Sequence, residues 1–446
     1  MSEWKKVKIG DFLTEREGRY KPNDKEISKY QRLDKIDFSG HIHISDKPTK
    51  TDMIIVFPGD LIISGINVAK GAISVYQGKE PVCATIHYSS YTFDDKKVDL
   101  DYFKYFVKSP AFIFALQQQV KGGIKTEIKP KHLLPLEISL PDLSTQKEIV
   151  KVLSKKIEKV ELIKSEIESQ KAYAKQLRQN ILQEAIEGKL TEEWRKENPV
   201  VKGNPDFDAE ALFEKIQEEK CHTDSELLRN SKKKVFEPIS ENEQPFEIPE
   251  GWKWVRLGEV SESCLGKMLD STKNQGTKRK YLRNINVRWF SFDLSDLLEM
   301  KIKDIELARC SAQKGDLLIC EGGYPGRSAI WNENYEICFQ KAIHRVRFFY
   351  MSEMSRIFNL YLFLLSENKQ IEMYLTGEAI RHLTGVKLKQ IPIPLPPLAE
   401  QTEIVSRVEK LLANVTELEK QITEREEMTK QLMQSIMKDA FRETEN

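Results

Sequence analysis

The phrase LPDLSTQKEIV at residues 140–150 returns as LPPLAEQTEIV at 395–405, and the two are the ends of a longer duplication. WKKVKIGDF (4–12) matches WKWVRLGEV (252–260), and PGDLIISG (58–65) matches KGDLLICEG (314–322). SGINVAKGAIS (64–74) aligns with EGGYPGRSAIW (321–331), setting Lys70 opposite Arg327, and His87 falls opposite His344. KGGIKTEI (121–128) matches TGEAIRHL (376–383), and beyond the opening phrases an offset of 255 holds without a gap. A repeat this long dictates two related units rather than one large core, as the length of 446 residues also favours. The globular parts agree only at turns and short strands, whereas the tails that follow them keep their register throughout.

Those tails have a heptad period. Val160, Ile167, Ala174 and Ile181 occupy one slot, with Ile163, Gln170, Leu177 and Glu184 as its expected partner slot. The second copy repeats them with Val415, Ile422, Thr429 and Ile436, and with Leu418, Arg425, Leu432 and Asp439. Apolar residues spaced alternately by three and four make a seam for a partner helix. Gln170 and Arg425 are equivalent polar layers of the kind that fixes register. Starts are expected at Ser144–Thr145 after Pro141 and at Ala399–Glu400 after Pro397, and the first helix is expected to stop near Gly188. About 44 residues of helix span about 65 Å. An intramolecular antiparallel coiled coil is the expected use of two such stripes, with packing of each helix on its own globular unit the alternative.

The charge is uneven. Residues 1–143 carry 22 Lys and Arg against 19 Asp and Glu, and residues 251–390 carry 22 against 16. Residues 199–250 reverse this, with 7 against 13. The two globular segments can therefore meet a polyanion. The connector reads as a flexible, exposed stretch with a short amphipathic helix in FDAEALFEKIQEEK and a solvated run at Lys232–Lys234. No apolar run approaches membrane-spanning length, and MSEWKKVKIGDF has no secretory core. Six cysteines without a CxxC pair argue against a zinc site or disulfide framework, so a cytoplasmic protein is expected.

Catalytic motifs are missing. Gly266-Lys267 lacks the remainder of a P-loop, and no FxGxG turn for a methyl donor is present. NPDF (204–207) differs from an adenine-methyltransferase NPP[YF], and Pro205-Asp206 with Glu218–Lys220 cannot place nuclease carboxylates on adjacent strands. His41 and His43 read as surface residues, His87 and His344 as structural ones. What remains is a set of basic turns near glycines. The candidate DNA-binding residues are Lys70, Lys121, Lys125, Lys278, Arg279, Lys280, Arg283, Arg327, Arg381 and Lys387. Glycine allows close approach, and Lys and Arg reach phosphates or guanine edges.

Taken together, FEIPEGWKWVRLGEV (246–260), QKAIHRVR (340–347), IPIPLPPLAEQTEIV (391–405), ILQEAIEGKLTEEWRKENP (181–199) and the GDLI/GDLL turns resemble a type I restriction–modification specificity subunit, nearly end to end. The fold this implies is α+β: two similar mixed α/β target-recognition domains separated by two long helices in an antiparallel coiled coil, with an internal pseudo-twofold. The boundaries expected are 1–143 and 251–395 for the domains, 144–190 and 396–446 for the helices, and 191–250 for the acidic connector. The resemblance further implies a non-catalytic chain that reads a bipartite double-stranded DNA target. Two methyltransferase subunits and a restriction/translocase subunit would be its partners, with S-adenosylmethionine, ATP and Mg²⁺ held by them rather than by this chain. A modification-only complex, or a coiled-coil scaffold that binds no DNA, are the other readings.

Overall fold

The computed structural model describes residues 4–37, 40–45, 47, 49–66, 72–119, 129–227, 236–270, 272–350 and 353–441. The chain divides into two compact units, residues 1–170 with 421–446, and residues 171–420. Each long helix therefore contributes to both.

In the first unit, Lys5–Lys8 pairs with Glu137–Leu140 and closes the globular part at its base. Between them lie two four-stranded sheets. One has the order Leu13–Glu15, Tyr88–Phe93, Leu61–Ser64, Ile73–Val75; the other Ile42–Ser45, Arg32–Ile36, Val82–Thr85, Met53–Val56. The second unit repeats this strand for strand. Lys253–Arg256 pairs with Pro392–Leu395. Its sheets run Ser261–Leu265, Ile343–Phe348, Leu317–Cys320, Ser328–Ile330, and Leu298–Ile302, Thr277–Leu282, Ile337–Phe339, Ser311–Ala312. A short hairpin, Val287–Arg288 with Ser291–Phe292, is added. The apolar runs LIIS and LLIC are buried on both faces, as central strands require.

The GD turn explains itself. Gly59 and Gly315 take φ of +88° and +94°, where a side chain would be strained. Each then donates its amide across the same ladder position, Gly59 to Tyr76 and Gly315 to Trp331, both at 2.8 Å. The aspartate that follows is buried and bonded. Asp60 accepts both guanidinium nitrogens of Arg16 (2.6 and 3.0 Å) and the Ser90 hydroxyl (2.8 Å). Asp316 accepts two bonds from Arg347, both 2.7 Å, and the Gln313 amide at 2.8 Å.

Strand register corrects the alignment of the loops. Ser64 donates to the carbonyl of Ala72 just as Cys320 donates to that of Arg327, so Ala72 is the counterpart of Arg327. Likewise Ile63 pairs with Ser89 and Ile319 with His344, so His344 corresponds to Ser89 and not to His87. The intervening turn is one residue shorter in the second unit, a slip that matching glycines to glycines conceals. His87 is exposed, whereas His344 is buried, as expected of a structural residue.

The long helices run Leu143–Ile186 and Leu398–Ala440. Their entries repeat one device: Gln146 and Gln401 turn back to donate to the carbonyls of Pro141 and Pro396, both at 2.8 Å. Gly188, at φ +74°, ends the first helix. The helices pair antiparallel in both units. In the first, Leu153 shares a core with Met437 and Phe441, and Arg425 donates to Gln170 at 3.0 Å. In the second, Arg178 meets Glu419 at 2.8 Å, and Arg407 donates to the carbonyl of Leu190.

The expected seam is half right. Val160, Ile167, Ala174, Ile181, Val415, Ile422 and Thr429 are buried, and Ile436 is half-buried. Ile163, Leu177, Leu418 and Leu432 are exposed instead. The flanking slot lies four residues on, not three, at Ile157, Lys164, Lys171 and Arg178 and at Leu412, Glu419, Glu426 and Met433, all half-buried. Long amphipathic stems cover the apolar line there while their charged ends reach each other, as Arg178 and Glu419 do.

The connector is less exposed than its composition suggests. Ala209, Leu212 and Ile216, spaced for one helix face, enter the core of the second unit from the helix Ala209–Leu227. Buried Glu400 knots the segment to the second helix, accepting bonds from Thr191 (2.6 Å), Arg195 (2.5 Å) and the Trp252 indole (2.6 Å). Lys232–Lys234 lie outside the described residues.

Candidate nucleic-acid interface

Lys70, Lys121 and Lys125 also lie outside the described residues, so the structural account concerns the second unit. Its strand Thr277–Leu282 presents alternate residues to opposite faces. Lys278 and Lys280 are exposed, and Lys278 stands opposite exposed Lys301 on the neighbouring strand. Lys301 gives no signal along the chain, because it joins these lysines only across the ladder. On the other face Tyr281 is buried and Arg279 pairs with Asp304 at 2.8 Å.

Three turns converge beyond this strand. Arg283 is held by Asp296, at 2.6 Å to its carboxylate. The Asn284 side chain donates to the carbonyl of Gly322 at 2.7 Å, and Leu383 donates its amide to Glu321 at 2.7 Å. These bonds tie residues 283–286, 321–327 and 376–384 into one assembly. Arg327 departs from expectation: it is only 8% exposed, bonds the Asn284 carbonyl at 2.8 Å and lies 4.2 Å from the centroid of the Tyr324 ring. Its guanidinium is consumed inside the assembly and not offered to solvent. Arg381 is exposed in the third turn, and Lys387 is exposed on the helix Gly385–Gln390.

His344 supports these turns from beneath, its Nε2 2.8 Å from the carbonyl of Leu383. Burial pushes the ring down from 6.5 to about 4, against the raising effect of that bond and helped by nearby Lys389. The folded ring is thus neutral where the unfolded chain takes up a proton. Its contribution is complete above about pH 6.5 and is lost as pH falls toward about 4. The amount is on the order of 3 kcal/mol. His344→Gln keeps a donor and removes the titration, so its stability should fall less steeply between pH 6.5 and 4. Superimposable acid-unfolding curves for variant and wild type would acquit His344.

Elsewhere His43 is not isolated: its Nε2 lies 3.1 Å from Asp37. Among the described residues no three His, Cys, Asp or Glu side chains gather as metal ligands. No described helix is long and apolar enough to cross a membrane.

The duplicated sheets and paired helices are matched by known proteins. The family model for the type I restriction modification DNA specificity domain covers residues 1–170 and 249–427. The chain belongs to this family. Relatives within the type I specificity family include the EcoKI specificity subunit of Escherichia coli K12, 24% identical over 396 residues, or 87% of this chain and 75% of that one. The EcoBI specificity subunit of Escherichia coli is 25% identical over 344 residues, 75% of this chain and 63% of its own length. Among solved structures, a chain from work on complex assembly and conformational transition of the type I R-M system aligns over 99% of this chain and 98% of its own. Its TM-score is 0.63 at 16% identity. The HsdS subunit of Thermoanaerobacter tengcongensis aligns over 99% and 97%, with a TM-score of 0.50 at 18% identity. These two likenesses show a shared fold over nearly the whole of each chain.

Proposed function

We propose that this chain is the non-catalytic targeting subunit of a type I restriction–modification complex. Each unit reads one half of a bipartite duplex target, the paired helices set the gap, and partner subunits methylate adenine or cleave. The observation that carries this reading is that one sheet order occurs twice while the solvent-facing side chains of the two copies differ. A single chain so built can address two unlike half-sites, as a symmetric dimer addresses two like ones about one helical turn apart. Lys278, Lys280, Lys301, Arg381 and Lys387 are the exposed cations that fit phosphate contacts in the second unit. Arg327 serves by positioning the turn.

The helix positions that are exposed instead of joined support the partner assignment. Ile163, Tyr173 and Leu177 are exposed on the first helix, and their counterparts at offset 255, Leu418, Met428 and Leu432, are exposed on the second. Two equivalent apolar stripes that the described residues leave open fit two copies of one modification subunit.

The test is selection of duplexes from a random-sequence library by the full chain together with its modification subunits. Two short blocks at a fixed separation should emerge. Enrichment of one continuous block, or of none, would refute the reading.

A further inference from the structure

Resting on that reading, we infer that Tyr324 is a specificity-determining contact, a ring held ready to pack against a base of the half-site addressed by the second unit. Tyr324 stands at the tip of Gly322-Gly323-Tyr324-Pro325-Gly326 and is 66% exposed. One side of the ring is used by Arg327, 4.2 Å from its centroid, and the rest is left open to a ligand. Yet the turn is fastened on every side. Gly326 donates to the carbonyl of Cys320 (3.0 Å) and Arg327 to that of Tyr324 (3.1 Å). Gly323 and Gly326 take φ of +75° and +88°. A Cβ on Gly322 would meet the His382 ring at 2.9 Å, so the third turn abuts this one. The Arg327 guanidinium, itself fixed to Asn284, covers part of the ring from below.

A fixed, exposed ring loses little conformational freedom on binding. Its neighbours argue for nucleic acid as the ligand. Arg381 is exposed beside His382, and the lysines of the Thr277–Leu282 strand lead into Arg283 and Asn284. Asn284 adds a second pointer. Its side-chain amide donates to the carbonyl of Gly322 at 2.7 Å, so the basic strand is tied directly to the turn that carries the ring. In a duplex groove a base edge offers apolar contact, at the thymine methyl above all, that a ring can pack against and a phosphate cannot supply.

The experiment uses the full chain with its modification subunits and two probes, the duplex selected above and a random duplex of equal length. Tyr324→Ala should bind the selected duplex roughly ten- to a hundredfold more weakly, the range of one lost base-pair contact. Tyr324→Phe should stay within about threefold of wild type, since the ring that packs against the base survives. Affinity for the random duplex, and the dependence on salt, should not change. Equal losses on both probes would make Tyr324 a general backbone contact and overturn the assignment, as would unaltered binding by Tyr324→Ala. Loss of modification-subunit binding with intact DNA affinity would assign the ring to a protein partner and overturn it too. If the wild-type chain selects no duplex at all, the targeting reading falls and this assignment with it.

Discussion

Exchanging residues 1–140 for the equivalent segment of another member of the family is expected to replace one half of the target and leave the other half unchanged. The exchanged globular part has its own buried cluster, with Leu61, Ile63, Tyr91, Tyr102, Phe103 and Phe106 among its members. The second unit closes around separate clusters built on Leu317, Ile319, Phe358 and Leu362, and on Leu318, Trp331 and Phe339. Each head therefore has a core of its own. The one condition is set by the far helix. Phe441 lies against Tyr102 and Phe106, with ring centroids 5.4 and 5.5 Å apart, and Met437 joins the same cluster. An incoming head must offer an apolar socket there, because an unfilled one costs about 3–5 kcal/mol for a residue of this size. Given that socket, each wrong base pair in the changed half-site costs about 1–3 kcal/mol, so affinity for the old target should drop on the order of a thousandfold or more. Methylation mapping in cells carrying the exchanged chain reads the outcome directly. A change in both halves, or in neither, would contradict two independent readers.

The sequence exposed the architecture because duplication writes it twice. The helix starts at Leu143 and Leu398 fall within a residue of expectation, since proline and the returning glutamines fix them locally. The seam was legible only to the resolution of a heptad. Positions three and four residues beyond Val160 both carry apolar carbon, in Ile163 and in the stem of Lys164, and the rotation of the helix about its axis decides between them. That rotation is a tertiary property. Arg327 was misjudged for a related reason: a cation beside glycines in a turn looks the same whether it faces solvent or braces an aromatic ring. The connector's amphipathic helix is legible in FDAEALFEKIQEEK, whereas its net negative charge suggests exposure and conceals that Ala209, Leu212 and Ile216 enter a core. Tyr324 had no signal beyond its glycines, since exposure cannot be read from one sequence.

The arginines that answer the GD aspartates show what a pairwise repeat cannot display. Asp60 is met by Arg16, just beyond the strand Leu13–Glu15, whereas Asp316 is met by Arg347 on Ile343–Phe348. Strand pairing makes Thr92 the counterpart of Arg347, so the same ion pair is built from different strands. Aligned residue against residue, neither arginine has a match, yet the aspartate is served in both copies. What the two copies share is therefore the buried carboxylate and the turn it organises.

Removal of that carboxylate should accordingly be costly. Asp316 is 2% exposed, so Asp316→Ala leaves the Arg347 guanidinium without its partner and the Gln313 amide without an acceptor. Breaking a fully buried pair costs about 3–5 kcal/mol; with the arginine one-third exposed to water, about 2–4 kcal/mol is expected. Arg347→Met in the same chain removes the stranded charge and should restore more than half of the loss. Five of the six tryptophans lie between residues 171 and 420, so the denaturant midpoint followed by tryptophan fluorescence reports mainly on the second unit. Failure of Arg347→Met to restore stability would mean that the cost lies in the turn itself, in the amide of Gln313 and the left-handed backbone of Gly315, and not in an uncompensated charge. An unchanged midpoint in Asp316→Ala would go further, leaving the repeated GD phrase without a stabilising role and pointing to the strands around it as the true unit of duplication.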